Sequence, residues 1–174
     1  MAISREVFSE VLKDSYSAYY TIHEDAEADA GLPLIFRADY SSRDERYWLT
    51  KSAVTWANEK HEFCYVFTAE SFSPELANAC MDWAWNDGLP RVKPHAEHQC
   101  TNVKVILVAD SVSPDTAKAV KKKSATKSYW HGIQPQGYSN LLAAVTDLET
   151  QKTVTNRQGH ELVPFFKKLF AARS

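Results

Sequence analysis

Hydrophobic positions recur along the chain at two spacings, and the switches between them mark out the elements. Near the start, Phe8, Val11, Leu12, Tyr16, Tyr19 and Tyr20 fall at three- and four-residue steps behind Ser4, which predicts a capped helix running to about Thr21. The following HEDAEADAG is acidic, ends near Gly31 and Pro33, and reads as a solvated connector. Three strands are expected next, over 34–40, 47–56 and 62–68. They are rich in aromatic and β-branched residues and are separated by the polar stretches SSRDER and NEKH. Such short gaps favour antiparallel hairpins.

Helical spacing returns at 74–85, with Leu76, Cys80, Trp83 and Ala84 on one face and Gly88 and Pro90 placed to end the helix. A loop, RVKPHAEHQ, leads to VKVILVAD, whose apolar run suits a central strand covered on both faces. A helix over 114–123 follows, then an aromatic, glycine-containing loop, KSYWHGIQPQGY. A hairpin is expected over 141–148 and 153–156, turning near ETQK. The chain closes on a helix with Leu162, Phe165, Phe166, Leu169 and Phe170 at amphipathic spacing, where Pro164 is tolerated in the first turn.

One pattern occurs twice. VFTAESFSPELANA and ILVADSVSPDTAKA align at an offset of forty residues, so that Ala69, Ser71, Ser73 and Pro74 match Ala109, Ser111, Ser113 and Pro114. Local causes account for most of this: Ser73 and Ser113 suit N-caps, Pro74 and Pro114 suit a first helical position, and Glu75 and Asp115 favour the positive helix end. Two strand-to-helix units in tandem imply right-handed crossovers and parallel strands. The fold class is therefore α/β at the α+β boundary. A single mixed sheet is expected, in the order α-β-β-β-α-β-α followed by a β-hairpin and a C-terminal helix, with the helices packed on the sheet.

In such sheets ligands bind beyond the carboxyl ends of parallel strands, where Glu70-Ser71 and Asp110-Ser111 lie. These four residues are the leading candidates for ligand binding, through a shared magnesium ion or the polar groups of a small molecule. The competing reading is turn and cap chemistry, which needs no ligand and takes precedence.

Composition narrows the classes. At 174 residues, 44% hydrophobic and 24% charged, the chain is expected to be one globular domain over 1–174. A formal charge of −2 gives no global basic field, so nucleic-acid binding would have to be local. Lys118, Lys121, Lys122, Lys123 and Lys127, beside Tyr129, Trp130 and His131, form the basic cluster available for it, although lysines at a helix C-terminus also simply complement the dipole. The start lacks the marks of a signal peptide, no stretch is long enough for a membrane span, and Cys64, Cys80 and Cys100 are odd in number. A cytoplasmic protein with reduced thiols is expected.

His95, His98 and Cys100 offer three ligands within six residues, and zinc would need a fourth such as His61 or Cys64. The spacing matches no zinc signature, so no metal is assigned. No dinucleotide fingerprint, phosphate loop, nucleophile elbow or zincin motif occurs, and no cofactor is expected. Trp48, Trp56, Trp83 and Trp85 sit at core or core-edge spacing.

The order helix, three strands, helix, strand, helix resembles the restriction-endonuclease-like fold over approximately residues 4–123. That resemblance implies a metal held by an acidic residue and a Glu-x-Lys on adjacent strands. Here the motif reads Glu62-Phe63-Cys64, with Lys51 left to stand in for the lysine and Asp39 or Asp44 as the companion acid. YWLTKSAVTWANEKHEF, PHAEH and TNRQG before the final helix also resemble an uncharacterised bacterial family of unknown function. Two functions follow as expectations. The first is a non-enzymatic binding or interaction domain, which predicts no acid-base constellation buried in a cleft. The second is a metal-dependent, nucleic-acid-directed enzyme built on Asp39, Asp44, Lys51 and Glu62. The partner is a small molecule or a protein, with a second copy of the chain also open.

Overall fold

In this computed structural model, residues 3–28, 31–47 and 54–172 are described, and their side chains except those of 44–57. Ser4 accepts from the Val7 N–H and starts α1 (Arg5–Ser17), which ends a turn earlier than its periodicity predicts. Phe8, Leu12 and Tyr16, spaced by four, are the buried stripe of this helix. The next residues form a short strand, β1 (Thr21–His23), that the sequence reading assigns to helix and connector.

Two long strands replace the three expected in the next region. They are β2 (Leu34–Tyr47) and β3 (Val54–Ala69), paired antiparallel with Tyr40 opposite Glu62. Ser41, Ser42, Arg43 and Asp44 pair with His61, Lys60, Glu59 and Asn58, so the two polar stretches expected as turns are each other's ladder partners. Complementary charge makes this tolerable, since Arg43 reaches Glu59 across the ladder at 2.9 Å. Part of the expected 47–56 strand, with Trp48, lies outside the described residues.

The repeated unit forms as anticipated. β3 runs into α2 (Pro74–Gly88), capped by Ser73, and β4 (His98–Ala109) runs into α3 (Pro114–Lys122), capped by Ser113. β3 and β4 are adjacent and parallel, with Ala69 opposite Ala109. The loop after α3 is instead a ladder: β5 (Thr126–His131) pairs antiparallel with the start of β6 (Gln134–Asp147), which begins seven residues before its predicted bound. β6 lies parallel to β4 and forms the expected hairpin with β7 (Lys152–Thr155), and α4 (Val163–Ala171) closes the described chain.

Among the described residues the result is one mixed seven-stranded sheet, ordered β1-β2-β3-β4-β6-β5, with β7 also on β6. β4 is central, as its apolar run requires. Alternate residues of its second half face opposite layers: Val103, Val105 and Leu107 pack with α2 and α3, and Ile106 and Val108 with α1 and α4. Phe8 of α1 stacks on Phe170 of α4, with ring centroids 5.2 Å apart, so the two helices share one core. Trp83 lies edge-on to Tyr65 at the margin of the other core. Gly137, at φ +80°, admits β6 past the start of β4, where a Cβ would lie 2.4 Å from the Gln99 carbonyl oxygen.

Candidate functional site

Glu70 and Asp110 are neighbours, since the Asp110 N–H donates to the Glu70 carbonyl at 3.1 Å. Their side chains do not form a free acidic pair. Arg5 from α1 holds the Asp110 carboxylate at 3.0 Å, and Glu70 is exposed to solvent, as are Ser71 and Ser111. A hollow of about 410 Å³ beside Asp110 is lined by Ile3, Ser4, Leu148 and Glu149. The third parallel strand adds Asp147, which sequence reasoning missed. Burial alone would raise its pKa, but the N–H groups of Thr150 and Val112 outweigh it and hold the carboxyl below the usual range. Asp147 thus ties two loops at the strand ends.

The histidines form hydrogen-bonded links rather than a ligand set. His95 meets Glu59 at 2.8 Å and His61 lies 3.5 Å from the same carboxylate. Although burial opposes it, hydrogen bonding from His95 and Arg43 holds Glu59 below the ordinary carboxylate range. Both ring nitrogens of His98 are engaged, at 2.7 Å to the Gln136 carbonyl and 2.8 Å to Thr101 Oγ1. The carbonyl only accepts, so Nδ1 carries the proton and Nε2 accepts from Thr101. Cys100 pairs with Lys60 while Thr101 pairs with His61, so Cys100 lies on the opposite face of the sheet from His61. Its thiol is pushed up by burial. Among the described residues no group of three or more His, Cys, Asp or Glu has the geometry to hold a metal ion.

Burial lowers the His98 pKa below its ordinary 6.5. Between those two values the unfolded chain binds more protons, so the stability contributed by neutral His98 is complete above about 6.5 and is lost as pH falls through the folded value. His98→Asn is expected to cost about 1–2 kcal/mol at neutral pH and to flatten the acid-side loss of stability. Urea unfolding on each side of the transition checks this. An unaltered pH slope would assign the acid sensitivity to the Glu59 group instead.

The residues expected to converge on a nuclease-type metal do not do so. Asp39 pairs with Phe63 while Tyr40 pairs with Glu62, which puts Asp39 and Glu62 on opposite faces of the sheet. Asp39 engages Arg37 at 3.0 Å and His23 at 3.1 Å. Asp44 lies opposite Asn58 with its side chain outside the described set, and Lys51 falls outside the described residues.

Glu62 has another partner. Lys104, on central strand β4, reaches it at 2.7 Å with a side chain only 6% exposed, and the Tyr20 hydroxyl donates to the same carboxylate oxygen. The Lys104 ammonium lies 5.7 Å from the Tyr16 ring centroid and 5.8 Å from that of Tyr20. Buried Cys64, where the motif wants lysine, carries a thiol pushed up to about 12 by burial.

This constellation borders a hollow of about 390 Å³ between the end of α1 and the turn before α4. Lys104 lies in its lining, Tyr16, Tyr19, Tyr20 and Phe165 supply aromatic surface, and Ser15, Glu161 and Leu162 complete it. The size suits a small organic molecule. The binding reading predicts no acid-base constellation buried in a cleft; here a lysine and a tyrosine line one and meet a glutamate beside it. Their arrangement favours holding over proton transfer. Burial, reinforced by the bond to Glu62, raises the Tyr20 phenol, the opposite of what a general base needs.

The lysine cluster is dispersed in use. Lys123 is paired with Asp82 at 2.5 Å, Lys127 lies over the Tyr129 ring, and Lys121 and Lys122 occupy the last turn of α3. Trp130 is exposed beside them.

No curated protein and no solved structure matches the chain, so the restriction-endonuclease-like resemblance gains no support from comparison. One family model does match, over residues 4–168, and its description is "Domain of unknown function (DUF8052)". The match takes in every element from α1 to the middle of α4, and the chain belongs to that family of uncharacterised domains.

Proposed function

We propose that this chain is a single-domain, non-enzymatic binding module that takes a small organic molecule into the hollow beneath the end of α1. One observation carries the reading: a lysine buried on the central strand lines an aromatic opening, with its ammonium over two of the rings that also line it. An ammonium has three N–H donors, and Glu62 and the Tyr20 hydroxyl, at 2.7 and 3.4 Å, take two. The third is available to an acceptor on a bound molecule, while Tyr16 and Phe165 offer apolar area to its body. A cytoplasmic setting belongs to the same reading, supported by three buried free thiols. No helix among the described residues is long and apolar enough to cross a membrane.

The metal-dependent alternative has less to stand on. Glu62 is neutralised by Lys104 and bonded by Tyr20, and Asp39 faces away from it. Of the strand-end residues, Asp110 is taken up by the Arg5 bridge, Glu70, Ser71 and Ser111 are exposed, and the caps of the two helices are Ser73 and Ser113.

A thermal-shift screen with small aromatic amides, amines and carboxylates tests the proposal. Saturable stabilisation is expected from a subset, and Ser15→Phe, which fills the hollow and leaves both members of the Glu62–Lys104 pair in the chain, is expected to remove it. Ligands that stabilise both proteins equally would place binding elsewhere and overturn the reading.

A further inference from the structure

The hollow has a charge pattern that narrows what it can hold. Lys104 lies in its lining with its charge already matched by Glu62, and Glu161 stands exposed in the same lining. Glu161 makes no ion pair among the described residues, in contrast to Lys104. Aromatic surface from Tyr16, Tyr19, Tyr20 and Phe165 completes the lining.

A ligand carboxylate at Lys104 would approach the Glu62 carboxylate, 2.7 Å from the same ammonium, and meet its repulsion. An uncharged carbonyl takes the remaining N–H without that cost. A cationic group at Glu161 instead gains an unmatched carboxylate, together with the faces of neighbouring rings. Resting on the binding reading above, we infer that the ligand class is an organic amine bearing a neutral carbonyl acceptor and an apolar or aromatic body. The acceptor points to Lys104 and the ammonium to Glu161. Amino-acid amides and the amino ends of short peptides have this chemistry; free amino acids, with their second charge, fit less well.

Four probes sharing a phenyl body separate the terms by calorimetry or NMR titration of the full chain. They are phenylalaninamide (amine and carbonyl), phenethylamine (amine), 3-phenylpropanamide (carbonyl) and phenylalanine (zwitterion). Phenylalaninamide is expected to bind tightest, and Glu161→Gln, an exposed substitution, is expected to weaken it roughly three- to fivefold while leaving 3-phenylpropanamide unchanged. The Glu161-dependent advantage should also shrink in high salt. Phenylalanine binding as tightly as its amide, or a Glu161→Gln variant indistinguishable from the parent, would overturn the inference. If single-function probes still bind and Ser15→Phe still blocks them, the binding reading survives that failure. If no probe binds and the wider screen also finds nothing, both fall together.

Discussion

Asn156→Leu is expected to leave the protein largely unfolded or, if folded, about 4–6 kcal/mol less stable, measured by urea unfolding followed by circular dichroism. The side chain is 1% exposed and every polar group on it is used. Its Oδ1 accepts from the Ala143 N–H at 3.0 Å and the Gly159 N–H at 2.8 Å, and its Nδ2 donates to the carbonyls of Leu141 and Lys123 at 2.9 and 3.1 Å. The location explains the need. Along its outer edge β6 pairs with β5 up to Asn140 and with β7 from Ala144, and the amide of Asn156 fills the interval between them. Leucine branches at the same atom with the same number of heavy atoms, but it is bulkier and has neither donor nor acceptor, so three buried backbone groups and the part-buried Lys123 carbonyl lose their partners, at about 1–3 kcal/mol for each buried one before relaxation. Hydrogen exchange at the Ala143 amide gives a local reading of the same loss. A leucine variant within about 1 kcal/mol of the parent would mean that water replaces the side chain there.

The same contact makes physical sense of TNRQG. Asn156 needs the N–H of the residue three positions on, and that residue is buried so tightly that a Cβ on Gly159 would lie 2.7 Å from the Ala143 carbonyl oxygen. The asparagine and the glycine are therefore one device, legible in the sequence as a pattern but not as a cause. The repeated unit was fully legible because its signals are local: Ser73 and Ser113 cap their helices through contacts three residues away. The strands at 41–46 and 58–61 were not, because polar composition reads as a turn unless the partner strand is known. β5 was missed for the same reason, as its residues are nearly all exposed and stand only by pairing with β6.

The candidate site was legible at one end only. Glu62 drew attention through its Glu-x-Cys context, but the companions expected for it came from nearby sequence, whereas those found come from residues 42 positions away in either direction, Tyr20 and Lys104. A signal for Lys104 was present. VKVILVAD reads as a central apolar strand, and a lysine inside such a strand must either snorkel to water or find a partner. The alternation of strand residues then directs it to the face carrying Cys64, Ile106 and Val108, under α1.

The Glu62–Lys104 pair is expected to show strong, asymmetric coupling. Glu62→Leu leaves an ammonium that is 6% exposed with only the Tyr20 hydroxyl and two ring faces, and is expected to cost about 3–5 kcal/mol. Lys104→Met leaves a carboxylate that is 19% exposed and still receives the Tyr20 hydroxyl, so water can approach it, and about 1–3 kcal/mol is expected. The double variant replaces both charges by apolar side chains of similar size next to Cys64, Tyr16 and Tyr20, and is expected to return to within about 1 kcal/mol of the parent. Denaturant unfolding of the four proteins closes the cycle. Additive losses would show that the two charges are held independently and that their contact is incidental. Recovery in the double variant separates two reasons for a charged pair at the centre of the sheet. If the charges can be removed together at little cost in stability, the fold does not need them. What the double variant should lose is the part of the ligand-induced stabilisation that depends on a carbonyl acceptor, because it presents no N–H donor to the hollow.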